Sequence, residues 1–528
     1  MVARYPIGKQ DFKSIRDNGY LYVDKTQYIS LLLEGANYYF LARPRRFGKS
    51  LFVSTLEYFF RGERELFKGL AIYEREDWDW REYPVVHIDF GESNYPETSY
   101  LEAMLSRTLE LHEQKYGVST VGAVNVNDRF ARLIRSLYEK NGSEVVVLVD
   151  EYEKPVLDNI DNIELRETFR ESLRGFYGVL KSFDRYLKMV FLTGITKFGK
   201  TSIFSALNNV NDITLDLDFG AICGITEDEL LHYLPEGIQR LARSEDIDFH
   251  EAVALLKQNY DGYHFNRSCP DIYNPFSILS ALSKREIKPY WSVTGTPSFL
   301  ADLLISKNYK IENLEGVKAS ETRLLDAGNQ FDDPVALFYQ TGYLTIKSYD
   351  KSTRRFTLGF PNKEVQLAFF EYILPFYQKP KSTAVESYLN DFTDGILSGN
   401  PKQAIEALAS FSSSIDYAIV PHPEIERHFQ SMIFLFSRLI LPYVADVKTE
   451  EHTSDGRIDL LIKTYDYIYV IEIKRDSTPE TALRQIKEKG YALQFVTDPR
   501  PVFLIGLNFS TKERRLDGYV IETPNDMS

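Results

Sequence analysis

The stretch Phe40-Leu41-Ala42-Arg43-Pro44-Arg45-Arg46-Phe47-Gly48-Lys49-Ser50-Leu51 constrains the amino-terminal half of the chain more than any other. It reads as a strand end, a tight basic turn and a helix start. Tyr38 to Ala42 is a short apolar run suited to a parallel strand buried on both faces. Gly48-Lys49-Ser50 has the chemistry that closes a phosphate-binding loop. Lysine there reaches the β- and γ-phosphates, and the serine hydroxyl ligates Mg²⁺. A helix from about Ser50 to Arg61 aims its first amides and the positive end of its dipole at the same phosphates. The spacing departs from G-x-x-x-x-G-K-[ST] at its first position. Arg43 replaces the glycine that eases a sharp turn, and Pro44 removes one amide donor. A basic turn that caps a helix has the same composition.

Two later stretches carry complementary chemistry. Ser143 to Val149 is a β-branched run without polar alternation, expected as a central parallel strand, and it ends in Asp150 and Glu151. Ligands sit at that edge of open α/β sheets. Asp150 there can hold Mg²⁺, and Glu151 can polarise the attacking water. A strand ending in solvated acids is the plainer reading. Lys188 to Gly194 is a further strand, and its Thr193 is suited to sensing the γ-phosphate. Tyr83 to Phe90 is another, with His87 read as a hydrogen-bonded core histidine. Helices are predicted at about 98–115, 126–140 and 163–185, the last carrying Arg166, Arg170, Arg174 and Arg185 on a charged face. Alternating strands and helices predict a three-layer α/β domain with a parallel sheet.

Gly8-Lys9-Gln10-Asp11-Phe12, Tyr22-Val23-Asp24-Lys25-Thr26, the R-P-R-R-F-G-K-S loop and Val149-Asp150-Glu151-Tyr152-Glu153-Lys154-Pro155 together resemble the predicted AAA-ATPase-like family of bacterial proteins. The similarity continues through Phe204-Ser205-Ala206-Leu207-Asn208-Asn209, Tyr260-Asp261-Gly262-Tyr263 and Tyr273-Asn274-Pro275-Phe276-Ser277. In that family an arginine-rich loop replaces the standard glycine. The resemblance implies a P-loop NTPase fold that binds ATP or GTP with Mg²⁺. The expected nucleotide site is Arg43, Arg45, Arg46, Gly48, Lys49, Ser50, Asp150 and Thr193, with Ser50 and Asp150 on the metal and Glu151 catalytic. Asp24 and Lys25 stand either near the nucleotide or in a salt-bridged turn.

Length and composition bound the rest. At 528 residues the chain should hold several domains. A net charge of −14 argues against a general basic coat for nucleic acid but leaves room for a local basic channel. Two cysteines, Cys223 and Cys269, exclude a disulfide framework and a cysteine metal site, and suit a reducing cytoplasm. Met1 to Ser30 has no apolar core of a signal peptide, and no apolar run is long enough for a membrane helix. The expected divisions are 1–224 for the P-loop domain, 225–289 for a helical lid opened by the capping pattern at Thr226–Glu229, 290–375 for a winged-helix-like region with strands at Gly342–Ile346 and Arg355–Gly359, 376–420 for a helical linker, and 421–528 for a final domain.

That final domain reads α-β-β-β-α-β: a helix near Glu424–Leu441, strands at Tyr443–Thr449, Arg457–Lys463 and Tyr467–Lys474, a helix at about 478–493 and a strand at Val502–Leu507. A hairpin turning between Tyr465 and Asp466 places Asp459 opposite Glu472, close enough for two carboxylates to share one Mg²⁺. Lys474 falls on the same face, with Ile471 and Ile473 turned into the core. A solvated ion network would use the same residues. The stretch resembles the PD-(D/E)xK nuclease superfamily, in the subfamily usually fused behind the ATPase-like domain, which implies a restriction-endonuclease-like fold. Asp459 matches its first acid, with Ile458 in place of the motif proline, and Glu472-Ile473-Lys474 matches its (D/E)xK. The resemblance further implies supporting roles for Glu426, Glu451, Gln485 and Tyr491. The whole chain therefore reads as a cytoplasmic ATP-binding switch, hydrolysing slowly and joined to a Mg²⁺-dependent nuclease-like domain. Nucleotide and nucleic acid are its expected partners, with homo-oligomerisation open and no membrane contact. The competing reading is a non-cutting regulator whose nuclease fold only binds nucleic acid or a protein.

Overall fold

The computed structural model describes residues 4–522 apart from 76–77, 198–206, 208, 292–302, 305–308, 310, 326–332, 375–383, 415–424 and 454–455, with backbone alone at 312–313, 384–385, 425–431, 442, 450–453 and 456. The quoted motif from Phe204 to Asn209 thus lies mostly outside the described residues. The chain divides into two compact units, Met1–Lys307 with Asn313–Gln366, and Asn308–Glu312 with Leu367–Ser528.

In the first unit, β1 (Tyr38–Ala42), β2 (Val85–Asp89), β3 (Val145–Asp150), β4 (Leu187–Gly194) and β5 (Asn211–Asp212) form a wholly parallel sheet in the order β2-β3-β4-β1-β5. Every residue of β1 and β3 is buried, as a sheet covered by helices on both faces requires. The helices are Lys49–Phe60, Thr98–Tyr116, Val126–Asn141 and Ile163–Ser182. This is the parallel sheet and helix alternation that the sequence predicts. From their carboxyl ends β1 leads toward β2 and β4 toward β5, in opposite directions across the sheet. The crevice at such a reversal is where open α/β sheets bind ligands.

Beyond the sheet, β6 (Ile225–Thr226) and β7 (Ile272–Tyr273) pair antiparallel beside the helices Glu227–Tyr233, Pro235–Ser244, Phe249–Tyr260 and Pro275–Lys284. Thr226 and Glu229 form the predicted capping box. Leu230, Ile238, Leu256, Ile278 and Leu282 fill the core of this bundle. β8 (Lys318–Ser320), β9 (Thr345–Asp350) and β10 (Arg355–Gly359) make an antiparallel sheet in the order β8-β10-β9, accompanied by the helix Pro334–Thr341. The strand expected from Gly342 starts later, because Gly342 closes that helix in the left-handed region at φ 91°.

The second unit holds helices Ala384–Leu397, Pro401–Ser413 and Ile425–Leu439, then β11 (Asp446–Thr453), β12 (Gly456–Lys463), β13 (Ile468–Arg475), the helix Pro479–Glu488, β14 (Val502–Ser510) and β15 (Arg515–Glu522). The sheet runs β11-β12-β13-β14-β15, with β13 and β14 parallel and the other pairs antiparallel. Two details differ from the expectation. Leu441–Tyr443 is a tight 3-10 turn, so β11 begins at Asp446 and not at Tyr443. An added strand, β15, covers the edge of β14.

Candidate functional site

The basic turn folds as a loop between β1 and the helix Lys49–Phe60. Gly48 caps that helix at φ 95°. A side-chain carbon there would meet nothing within 4 Å, so the sign of φ and not crowding calls for glycine. Lys49 is buried and folds back over the loop, its Nζ donating to Arg43 O at 2.9 Å and Pro44 O at 3.1 Å. Its ammonium therefore occupies the hollow of the loop. Ser50 stands one residue further into the helix, partly exposed.

The three arginines have separate surroundings. Arg43, expected on a phosphate, is 1% exposed and donates to Ala42 O at 2.8 Å, Thr214 O at 2.9 Å and Phe219 O at 2.9 Å. Its guanidinium also packs 4.2 Å from the Phe265 ring centre. An arginine in the glycine position must bury its side chain, and these carbonyls satisfy it, so Arg43 is an anchor of the loop and not a phosphate contact. Arg46 stacks 3.6 Å from the centre of the Phe276 ring and feels the Glu364 carboxylate. Arg45 is exposed.

Asp150 ends β3 with 2% exposure. Its Oδ1 accepts from Thr193 Oγ1 on β4 and from the Glu151 amide at 3.0 Å. The structure thus joins the acid and the threonine that the sequence places on separate strands. Glu151 has φ 50°, a conformation uncommon outside glycine. Its carboxylate lies against Gly91, beyond the end of β2, where an ideal side-chain carbon would be 3.1 Å from Oε2.

Two further acids at this edge were not singled out from the sequence. Asp89 pairs in register with Asp150, and burial together with the Asp150 charge pushes it up to about 6. Its position as the last residue of β2, like Asp150 at the end of β3, was the available signal. Glu153 is 1% exposed, and its Oε1 accepts from the amides of Ile195 and of Thr196, the latter at 2.9 Å. Lys25 takes the salt-bridged alternative, bonding Glu229 at 2.6 and 2.7 Å and Ala221 O at 2.9 Å. His87 is the hydrogen-bonded core histidine expected, with Nδ1 3.0 Å from Glu57. Beside Gly48 an apolar pocket opens between Leu21, Val23, Phe47, Ile222 and Leu279.

In the second unit the β12–β13 hairpin has the register predicted from its turn: Leu460 opposite Ile471, Leu461 opposite Val470, Ile462 opposite Tyr469 and Lys463 opposite Ile468. One step further, Asp459 faces Glu472, and Asp459 Oδ2 accepts from the Ile473 amide at 2.9 Å. Glu472 is 2% exposed. Its Oε1 accepts from Lys474 Nζ at 2.9 Å and from Gln485 Nε2, while its Oε2 is buried without a partner among the described residues. Burial and the Asp459 charge push the Glu472 carboxyl up, against the pull of Lys474. Tyr491 follows through its hydroxyl, 3.4 Å from Gln485 Nε2.

Gln485 reaches the strand because its helix lies directly on the sheet. Gly506, beside Glu472 in β14, leaves room for that approach: a side-chain carbon there would come within 2.2 Å of Pro479 O. One expectation is reversed. Glu472 is enclosed while Ile473 is half-exposed, so this face is not a solvated ion network at Glu472. Glu426 lies on the helix Ile425–Leu439 and Glu451 pairs with Ile458 in the β11–β12 ladder, their side chains being outside the described residues. Among the described residues no three His, Cys, Asp or Glu side chains form a metal-holding group. Mg²⁺ fits both places chemically, because it takes one or two carboxylates and keeps several waters or phosphate oxygens. In the second unit the unpartnered Glu472 Oε2 is an atom that such a cation would satisfy.

Two family models match the chain. Residues 6–204 match the predicted AAA-ATPase model and residues 424–518 the PD-(D/E)XK nuclease superfamily model. An uncharacterized protein from the vnfD 5′ region of Azotobacter chroococcum mcd 1 is 36% identical over 527 residues, covering 98% of this chain and 99% of that protein. The solved structure of the Aeropyrum pernix ORC2 protein, in its ADPNP–ADP complexes, aligns over 64% of this chain and 87% of its own at 13% identity and a TM-score of 0.25, too distant to carry an argument.

Proposed function

The chain belongs to the predicted AAA-ATPase family in the form that ends in a PD-(D/E)XK nuclease superfamily domain, and on that premise we propose that it is a nucleotide-dependent switch whose last domain cuts nucleic acid. The observation that carries the nucleotide half is the contact between Asp150 on β3 and Thr193 on β4, the neighbour of the loop strand β1, at the carboxyl edge of a parallel sheet. Lys49 leaves the loop carbonyls for the β- and γ-phosphates of ATP or GTP. Gly48 and the first amides of the helix complete the cradle, and the exposed Arg45 adds charge from outside. Ser50 and Asp150 hold Mg²⁺, Thr193 reads the γ-phosphate and Glu151 orients water. The purine lies in the apolar pocket beside Gly48. Hydrolysis is slow, because Pro44 withholds an amide and Arg43 ties the loop to the protein body. Calorimetric titration with ATP and GTP tests this half. Absence of binding at millimolar concentration would reject it.

The nuclease half rests on Asp459, Glu472, Lys474 and Gln485 meeting at the open end of one hairpin. Asp459 and Glu472 hold the metal, Lys474 steers the attacking water and Gln485 fixes Glu472. Mg²⁺ bound there neutralises the scissile phosphate and lowers the pKa of a bound water. Incubation with Mg²⁺ or Mn²⁺ on labelled single- and double-stranded DNA and RNA, with and without ATP, tests it. The second reading, a regulator that binds without cutting, draws on one observation: Lys474 is already paired with Glu472. Wild type that binds the labelled strands but leaves them whole in every nucleotide state would favour it. Reducing cytoplasm and self-association belong to the same proposal. Among the described residues no helix is long and apolar enough to cross a membrane.

A further inference from the structure

We propose that Glu153 is a positioning residue of the nucleotide site: it fixes the end of β4 so that Thr193 holds Asp150 in place. This rests on the nucleotide-switch reading above. The turn after β3 and the turn after β4 are tied together at several points. The Tyr152 amide donates to Thr193 O at 3.1 Å and the Tyr152 hydroxyl to Thr196 O at 3.0 Å. Thr193 Oγ1 donates to Asp150. Glu153 supplies the remaining link, one carboxylate oxygen taking both the Ile195 and Thr196 amides. The two amides follow directly on Thr193-Gly194, so whatever moves them moves the threonine.

The same strand end carries the phosphate loop. Arg43 N donates to Gly194 O at 3.1 Å, and Lys49 Nζ donates to Arg43 O. Glu153 is thus linked through Ile195, Gly194 and Arg43 to the lysine that meets the phosphates. Its carboxylate is packed so closely against Gly194 that a side-chain carbon at 194 would lie 2.2 Å from Oε2 and 2.7 Å from Cδ. Gly194 therefore leaves the space that the Glu153 carboxylate occupies. A carboxyl group so deeply enclosed is expensive to bury, and its Oε2 has no partner among the described residues. The packing of β4 could be completed by an apolar side chain. The two amides that continue from Thr193 are the groups that need this acceptor.

Three variants separate this role from a merely structural one, with ATP affinity read by calorimetry and turnover by phosphate release. Glu153→Ala should lower kcat by roughly 10- to 100-fold with little change in ATP affinity, the range seen when a support of a reacting group is removed. Glu153→Gln keeps an acceptor for both amides and should recover most of that turnover. Gly194→Ala, which leaves the carboxylate in the chain but displaces it, should reproduce the loss. If Glu153→Ala unfolds by circular dichroism, the other two variants decide alone. Unchanged turnover in Gly194→Ala, equal losses of affinity and turnover, or no rescue by Glu153→Gln would each overturn the proposal. Wild type that binds no nucleotide would overturn the nucleotide reading and this role with it, whereas wild type that binds and hydrolyses ATP beside variants that fail these expectations overturns the positioning role alone.

Discussion

Lys49 and Arg43 stand six positions apart in one loop and answer to opposite demands. Lys49 spends its donors on two loop carbonyls that phosphate oxygens can replace. Lys49→Ala should therefore weaken ATP binding by roughly 10- to 100-fold, the worth of one or two charge-assisted hydrogen bonds, while the circular dichroism spectrum stays that of wild type. Arg43→Ala should do the reverse. It strips three buried carbonyls of a donor, with a loss of about 1–3 kcal/mol for each group left unsatisfied, read as a lower midpoint in urea. Loss of affinity in Arg43→Ala without loss of stability would put that arginine back on the phosphates. At the other site, Asp459→Ala should abolish cleavage, and Lys474→Ala should reduce cleavage more than metal binding, since lysine is no ligand. Cleavage that survives Asp459→Ala would point to a contaminant. The sequence could offer these positions as candidates because phosphate and metal chemistry would need those groups at those spacings. Their directions were not legible. Nothing in R-P-R-R-F says which arginine turns inward, and Glu153 reads as one more acid in a charged motif until the amides after β4 are seen on it.

Elements were read more securely than side-chain directions, and for a physical reason. A two-faced apolar run has few places to go but the middle of a parallel sheet, so β1, β3 and β4 were legible from composition alone. The β12–β13 register was legible too, because a one-residue slip would exchange the two faces of the hairpin. β15 was not, since its residues are mostly half-exposed and alternate weakly. Nor did the sequence foretell how closely the helix Pro479–Glu488 lies on the sheet, which depends on the absence of one carbon at Gly506. Gly506→Ala tests that contact. The added carbon would meet Pro479 O at 2.2 Å and Leu483 N at 2.8 Å, both backbone atoms that move only with the helix. The expected loss is about 1–3 kcal/mol in the stability of the second unit, with Gln485 drawn off Glu472 and cleavage reduced. A Gly506→Ala variant with wild-type unfolding and wild-type cleavage would show that the helix is not held by this approach.

Across the whole molecule the first unit stores an unusual amount of buried acid. Burial pushes Asp89 up to about 6 and Glu153, Asp261 and Glu364 up to about 7, from ordinary values of 3.8 for the aspartates and 4.5 for the glutamates. Between those limits the folded protein holds protons that the unfolded chain has released, so stability falls as pH rises through the window. The contribution is present in full below the ordinary values and gone above about pH 7. For Glu153 alone the change is about 3 kcal/mol. Glu57 acts in the other direction. Burial pushes it up, but the hydrogen bond and charge of His87, with Lys115 and Arg61, outweigh that and hold it at about 2, so its contribution is lost as pH falls from 4.5 toward 2. The two trends together place maximal stability in mildly acidic solution, near the ordinary carboxylate values and not at neutrality. Self-repulsion in a chain of net charge −14 also grows with pH, and it must be told apart from the buried acids. Salt does that, because it screens exposed charges and leaves buried groups almost untouched. The melting temperature of the first unit's transition should therefore fall from pH 5 to pH 8 even in high salt, and Glu364→Gln should flatten part of that slope by removing one of the protons. A melting temperature that is level over this range in high salt would mean that water reaches these carboxyl groups in the folded protein.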